Sequence, residues 1–100
     1  MGEIVRTGRA EQDLLEIWLT IADDNPDAAD RLLDRIGASA ERLLSSPLIG
    51  RNRSGELRVP GIRSLPVGPY LILYYQDDAE NLVIVRVVHS ARNLPQLLDE

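Results

Sequence analysis

The stretch that decides the fold runs from Gly61 to Arg92: GIRSLPVGPYLILYYQDDAENLVIVRVVHSAR. It reads as three strands, at 62–67, 70–76 and 82–89, rich in Leu, Ile, Val and Tyr. A tight turn at Gly68-Pro69 and a polar one over 77–81 join them into consecutive hairpins, hence an antiparallel meander. Four polar groups are set into this run: Arg63, Arg86, His89 and Arg92. Arg86, inside LVIVRVVH, is the most exacting, because a guanidinium among valines needs water, a carboxylate or an anion. Three placements meet that need: the solvated face of a half-exposed sheet, an acid of this chain, or a partner's carboxylate.

Ahead of the meander the pattern changes period. Residues 3–7 alternate weakly and predict a short first strand. From 9 to 23, Leu14, Ile17, Trp18 and Ile21 recur at helical spacing, and Leu15, Leu19 and Ala22 widen the stripe on one side. Trp18 shares the stripe's phase and is expected to anchor the core. Glu11, Asp13 and Glu16 suit the positive end of this helix's dipole. Asn25-Pro26 then caps and starts a second helix running to about Leu44, with Ala29, Leu32, Leu33, Ile36, Ala40 and Leu43 on one face. The short break between the helices predicts an antiparallel hairpin. Gly37, in mid-helix, either admits a close approach or is simply tolerated. Ser45-Ser46-Pro47 ends the helix, 48–60 reads as a loop with Gly50, Gly55 and Pro60 as breakers, and 93–98 predicts a short terminal helix. The order is β-αα-βββ-(α): one α+β domain over residues 1–100, with one small sheet.

Composition narrows the functional classes. Cysteine is absent and histidine occurs once, so a disulfide framework, a zinc–thiolate centre and a His-rich metal site are ruled out, and no cofactor is expected. The first residues lack the apolar run of a signal peptide and no stretch is long enough to span a membrane, so a soluble, cytoplasmic protein is expected. A net charge of −5 argues against binding nucleic acid through phosphate neutralisation. The charge is uneven: residues 1–46 hold ten acids and five arginines, and between Pro47 and Arg63 four arginines face the single acid Glu56. Every basic residue is arginine, suited to flat, two-pronged contacts with carboxylate or phosphate.

The order of elements, together with EQDLLEIWLTIADDNPDAADRLLDRI, LLSSPLIGR, GIRSLPVGPYLILYYQ and VIVRVVHSARN, resembles the ParE/RelE superfamily of toxins from type II toxin–antitoxin pairs, over nearly the whole chain. The resemblance implies a toxin of the kind found in plasmid-stabilising systems. It is nearer the ParE branch, whose members bind DNA gyrase and trap it on cleaved DNA. RelE-type relatives cleave mRNA in the ribosome, chemistry that requires a base, a cation for the phosphorane and an acid. The possible equivalents here are Glu56, Arg63, Arg86 and His89. However, there is no lysine and no tyrosine beyond Tyr75, the body is acidic, and positions 86 and 89 face opposite sides of a regular strand unless a bulge intervenes.

On the ParE reading no catalysis is expected. Arg63, His89 and Arg92 are then target contacts or structural pins. A ParD-like antitoxin would bind Leu15, Trp18, Leu19, Ala22 and Arg86, through the hairpin and the adjoining sheet. This chain would not itself touch DNA or a membrane. The alternatives are a RelE-type mRNA endoribonuclease and a non-toxic module that keeps only antitoxin binding.

Overall fold

The computed structural model describes residues 2–97. Its first strand, β1 (Ile4–Arg6), leads directly into α1 (Gly8–Ala22). Thr7 makes the junction: its Oγ1 accepts the Ala10 amide at 3.1 Å, satisfying one of the donors a helix start leaves over. Asn25 does the same for α2 (Pro26–Ser45), accepting the Ala28 amide at 3.1 Å ahead of Pro26 at the first helical position. The two helices pack against each other and against one face of the sheet.

Three strands form the meander: β3 (Arg63–Val67), β4 (Tyr70–Gln76) and β5 (Leu82–His89). The sheet is larger than the expected meander plus first strand. The segment expected as a loop over 48–60 also contains a 3-10 turn (Pro47–Ile49), the two-residue strand β2 (Arg51–Asn52) and a one-turn helix, α3 (Ser54–Leu57). The sheet order is β1-β5-β4-β3-β2, and β1 runs parallel to β5, with Ile4 opposite Leu82 and Arg6 opposite Ile84. A terminal helix, α4, is present at Leu94–Leu97; the expected Leu98 end lies outside the described residues.

Both faces of the sheet carry apolar clusters. Ala10, Leu14, Ile17, Leu32, Ile36 and Leu43 of the helices meet Ile72, Tyr74, Leu82, Ile84 and Val87. On the other face Leu57, Ile62, Leu71, Leu73, Val88 and Leu94 form a second, smaller cluster under α3 and α4. This two-sided burial explains why the strands read as nearly continuous apolar runs. Ile84 and Val87 are three residues apart, yet both face the helices. The register makes this possible: Leu73 opposes Arg86 while Tyr74 opposes Ile84, leaving Val85 as the extra residue of a β-bulge.

Candidate functional site

The candidate surfaces lie on and beside α1. Leu15 and Leu19, 58% and 54% exposed, form an aliphatic ridge on the outside of the helix, with half-buried Ala22 continuing it. Trp18 differs from expectation. It is half-buried rather than a core anchor, and its indole N–H donates to Asp30 Oδ1 at 2.8 Å. From the stripe's margin this surface bond ties α1 to α2.

Between β1, α1 and α2 lies an open groove of about 330 Å³. Ile4, Leu14, Leu33, Ile36 and Ile84 supply apolar lining, with Arg6 and Glu41 among the polar lining residues. Gly37 also lines this groove, and a methyl group there would meet no atom within 4 Å. The close approach considered for Gly37 is therefore not made within this chain.

Arg86 adopts the internal placement. Its Nε donates to Asp13 Oδ2 at 2.7 Å and its Nη2 to Asp13 Oδ1 at 3.1 Å, and the pair is almost fully enclosed. The Val87 amide also donates to Asp13 Oδ2, at 3.1 Å. Arg86 is thus engaged within the fold rather than presented on a solvated face or to a partner. Asp13, read from sequence as a helix-dipole acid, is the residue that reading missed. Its position carried the signal, three residues after Ala10 and four before Ile17, both of which are buried.

Arg86 and His89 line one polar cleft of about 190 Å³, with Arg9, Glu16, Tyr70 and Arg92 also in the lining. The bulge at Val85 precedes Arg86 and so does not realign it with His89, which stands opposite Tyr70. The two meet because β1 stops opposite Ile84 and leaves the β5 edge beyond it to α1. His89 is exposed, its ring edge-on to Tyr70 at 5.5 Å, and its Nδ1 accepts the Ala91 amide at 3.1 Å. Arg92 is also exposed, and its amide donates to the His89 carbonyl at 3.0 Å.

Arg63 lies elsewhere, on β3, and its partner is main chain rather than an acid of this chain. Its Nη1 donates to the Gly50 carbonyl at 2.8 Å. The same turn is held by Tyr74, whose hydroxyl donates to the Pro47 carbonyl at 2.7 Å and accepts the Gly50 amide at 3.0 Å. Burial pushes the Tyr74 phenol above its ordinary pKa. Gly50 is required by close approach: an added Cβ would sit 2.2 Å from that hydroxyl. The possible equivalents of a cleavage set are therefore dispersed. Arg63 holds the 3-10 turn, Glu56 is paired with Arg53 at 2.8 Å, and only Arg86 and His89 share a cleft. Among the described residues no group of three or more His, Asp or Glu side chains is placed to hold a metal ion, and no helix is long and apolar enough to cross a membrane.

A helical hairpin on one face of a five-stranded sheet, with a groove between it and the first strand, defines a small α+β domain. The chain belongs to the family described as "ParE toxin of type II toxin-antitoxin system, parDE", which matches residues 4–94. It is thus a toxin of the ParE/RelE kind. It is 39% identical over 93 residues to toxin RelE2 of Caulobacter vibrioides, covering 92% of this chain and 99% of that one. Among solved structures it resembles the chromosomal ParDE system of P. aeruginosa, with a TM-score of 0.72 at 23% identity over 89% of this chain and 96% of that one. It also resembles the RelBE2 toxin–antitoxin complex of Mycobacterium tuberculosis, with a TM-score of 0.58 at 26% identity over 88% and 96%.

Proposed function

We propose that this toxin is neutralised by a ParD-like antitoxin that docks on the α1 ridge and in that groove, and that its target is DNA gyrase. The observation that carries the antitoxin half is the exposure of Leu15 and Leu19 on α1, the helix that also forms one wall of the groove of about 330 Å³. An amphipathic helix or extended segment covering both would bury aliphatic surface that the chain leaves in water. The gyrase half is supported by the ParE family match and by an acidic body, which suits a protein target better than ribosomal RNA. On this reading His89 and Arg92 are target contacts at the rim of the cleft.

A second reading is kept because of the likeness to a toxin named RelE2: translation-dependent cleavage of mRNA. One experiment separates them. The purified toxin is added to gyrase in a plasmid supercoiling assay and, in parallel, to a translating extract whose mRNA is mapped by primer extension. Loss of supercoiling with intact mRNA is the expected result. Cleaved mRNA that depends on His89, with supercoiling unaffected, would replace gyrase by the ribosome. Activity in neither assay would leave antitoxin binding as the sole function.

A further inference from the structure

The outer face of α2 carries charge that the fold does not use. Leu32, Ile36, Ala40 and Leu43 belong to the buried stripe of this helix. Asp34, Ala38 and Arg42 fall on the opposite side, four residues apart and so one above another, and all three are exposed. Arg35 and Glu41, also exposed, flank them on either side. Among the described residues, none of Asp34, Arg35, Glu41 and Arg42 has a side-chain hydrogen bond or an ion pair.

These four charges have a symmetry of their own. Counted from Ala38, an acid stands four residues before and a base four after, Asp34 and Arg42. A base stands three before and an acid three after, Arg35 and Glu41. The order reads the same from either end with every sign exchanged. Turning a second α2 end for end about a two-fold axis through Ala38 brings each position before Ala38 opposite the equally distant position after it. Asp34 then faces the second copy's Arg42, and Arg35 faces the second copy's Glu41, each contact occurring twice. Ala38, on the axis, presents only a methyl group and lets the two helices approach closely. A shallow hollow of about 390 Å³ lined by Ala38, Glu41, Arg42, Ser45, Ser46 and Ile49 leaves room for the incoming side chains.

We propose that the toxin pairs with a second copy of itself through this face, the two α2 helices crossing antiparallel at Ala38. Self-complementary charge selects a second copy over an unrelated partner, which would have to reproduce the reversed pattern independently. Exposed ion pairs each contribute little, so the pair is weak and forms only as concentration rises. The net charge of −5 does not prevent it. At about 0.15 M salt the screening length is about 8 Å, shorter than the 13.2 Å radius of gyration, so repulsion between the two bodies is largely screened while ions in contact still attract. The proposal does not rest on the antitoxin or gyrase reading. Glu41 also borders the groove beside β1, so self-pairing and occupation of that groove meet at one side chain.

Sedimentation equilibrium of the full chain at about 0.15 M salt, over roughly 10 µM to 1 mM protein, reads the association. Wild type should pass from monomer to dimer across that range. Asp34→Arg and Arg42→Asp should each weaken self-association by roughly tenfold while remaining folded by thermal melting, because like charges then meet twice across the axis. Ala38→Glu, which brings two like charges together on the axis, should weaken it as well. An equimolar mixture of Asp34→Arg and Arg42→Asp should recover wild-type association, since each variant supplies the charge the other has lost. Asp78→Arg, which makes the same change of net charge on the exposed turn between β4 and β5, should associate as wild type does. A monomer at every concentration, wild-type association in any of the three face variants, a mixture no stronger than its components, or an equal loss in Asp78→Arg would each overturn the proposal.

Discussion

Asp13 and Arg86 lie 73 residues apart in sequence and meet as a two-pronged ion pair between α1 and β5, and the Asp13 oxygen that accepts Arg86 Nε also accepts the amide of Val87. One carboxylate thus stands where a neighbouring strand would be, past the point at which β1 ends. Truncating Arg86→Met keeps the aliphatic stem and leaves the Asp13 charge buried without its cation. The expected loss is about 3–5 kcal/mol of stability, read from the denaturant midpoint. Asp13→Leu combined with Arg86→Met should recover part of it. A single mutant as stable as wild type would show that the pair does not hold the fold.

Trp18 is expected to cost less to alter than a core aromatic. Trp18→Phe removes the bond to Asp30 and leaves most of the ring contact, so a loss of about 1 kcal/mol is expected, well below the roughly 3–5 kcal/mol of a fully buried aromatic truncated to alanine. Leu19→Asp, on the exposed ridge, should change stability by less than about 0.5 kcal/mol. The same substitution should weaken antitoxin binding in a titration of the purified complex. Full antitoxin affinity in Leu19→Asp would remove this ridge from the interface.

Gly37→Ala separates folding from docking. Its added methyl meets open space, and helix propensity favours alanine by about 1 kcal/mol, so a higher melting temperature is expected. If the antitoxin occupies the groove beside it, the same methyl should reduce affinity. Gly50→Ala should do the reverse in stability, because its Cβ would collide with the Tyr74 hydroxyl. Tyr74→Phe does not rescue it cleanly, since the Gly50 amide then loses its acceptor.

The turn between β4 and β5 sets a pH response. The Asp77 carboxylate accepts the Asn81 amide at 2.8 Å and the Ala79 amide at 3.0 Å, and the Asn81 amide is the larger cause holding its pKa below the ordinary 3.8. A group whose folded pKa is depressed contributes stability above its unfolded value and loses it as pH falls through the folded one. Asp77→Asn should therefore flatten the melting-temperature profile below about pH 4 and leave its shape at neutral pH unaltered. An acid limb identical to wild type would exclude this turn as a source.

Much of the fold was legible in the residues because local signals and burial agree. Strand-like runs bounded by Gly68-Pro69 and by the polar turn at Asp77 placed β4 and β5, and Asn25-Pro26 placed the start of α2. What was hidden depended on partners distant in sequence. Whether β1 would lie parallel to β5, and that Val85 would bulge, are set by tertiary register rather than by any local preference. The segment at 48–60 reads as a loop because Gly50, Gly55 and Pro60 interrupt it, while its brief helix and strand are held by Ser64, Tyr74 and Arg63. At the candidate site the exposed side of α1 followed from the excess width of its stripe. Asp13 did not, because an acid near a helix start already has an ordinary explanation at the surface. Trp18 was misjudged because phase alone does not say which edge of an indole faces water.

The parallel seam between β1 and β5 also sets a timetable for synthesis. Ile4 precedes its partner Leu82 by 78 residues in the chain (82 − 4). The helical hairpin forms from near neighbours and can fold early, but the sheet beneath it cannot close until β5 has been translated. At about 5–20 residues per second that wait lasts seconds, during which β1 has no strand to pair with and α1 has no Arg86 for Asp13. A chain cut short before Leu82 carries both helices and the whole ridge without the floor that fixes them.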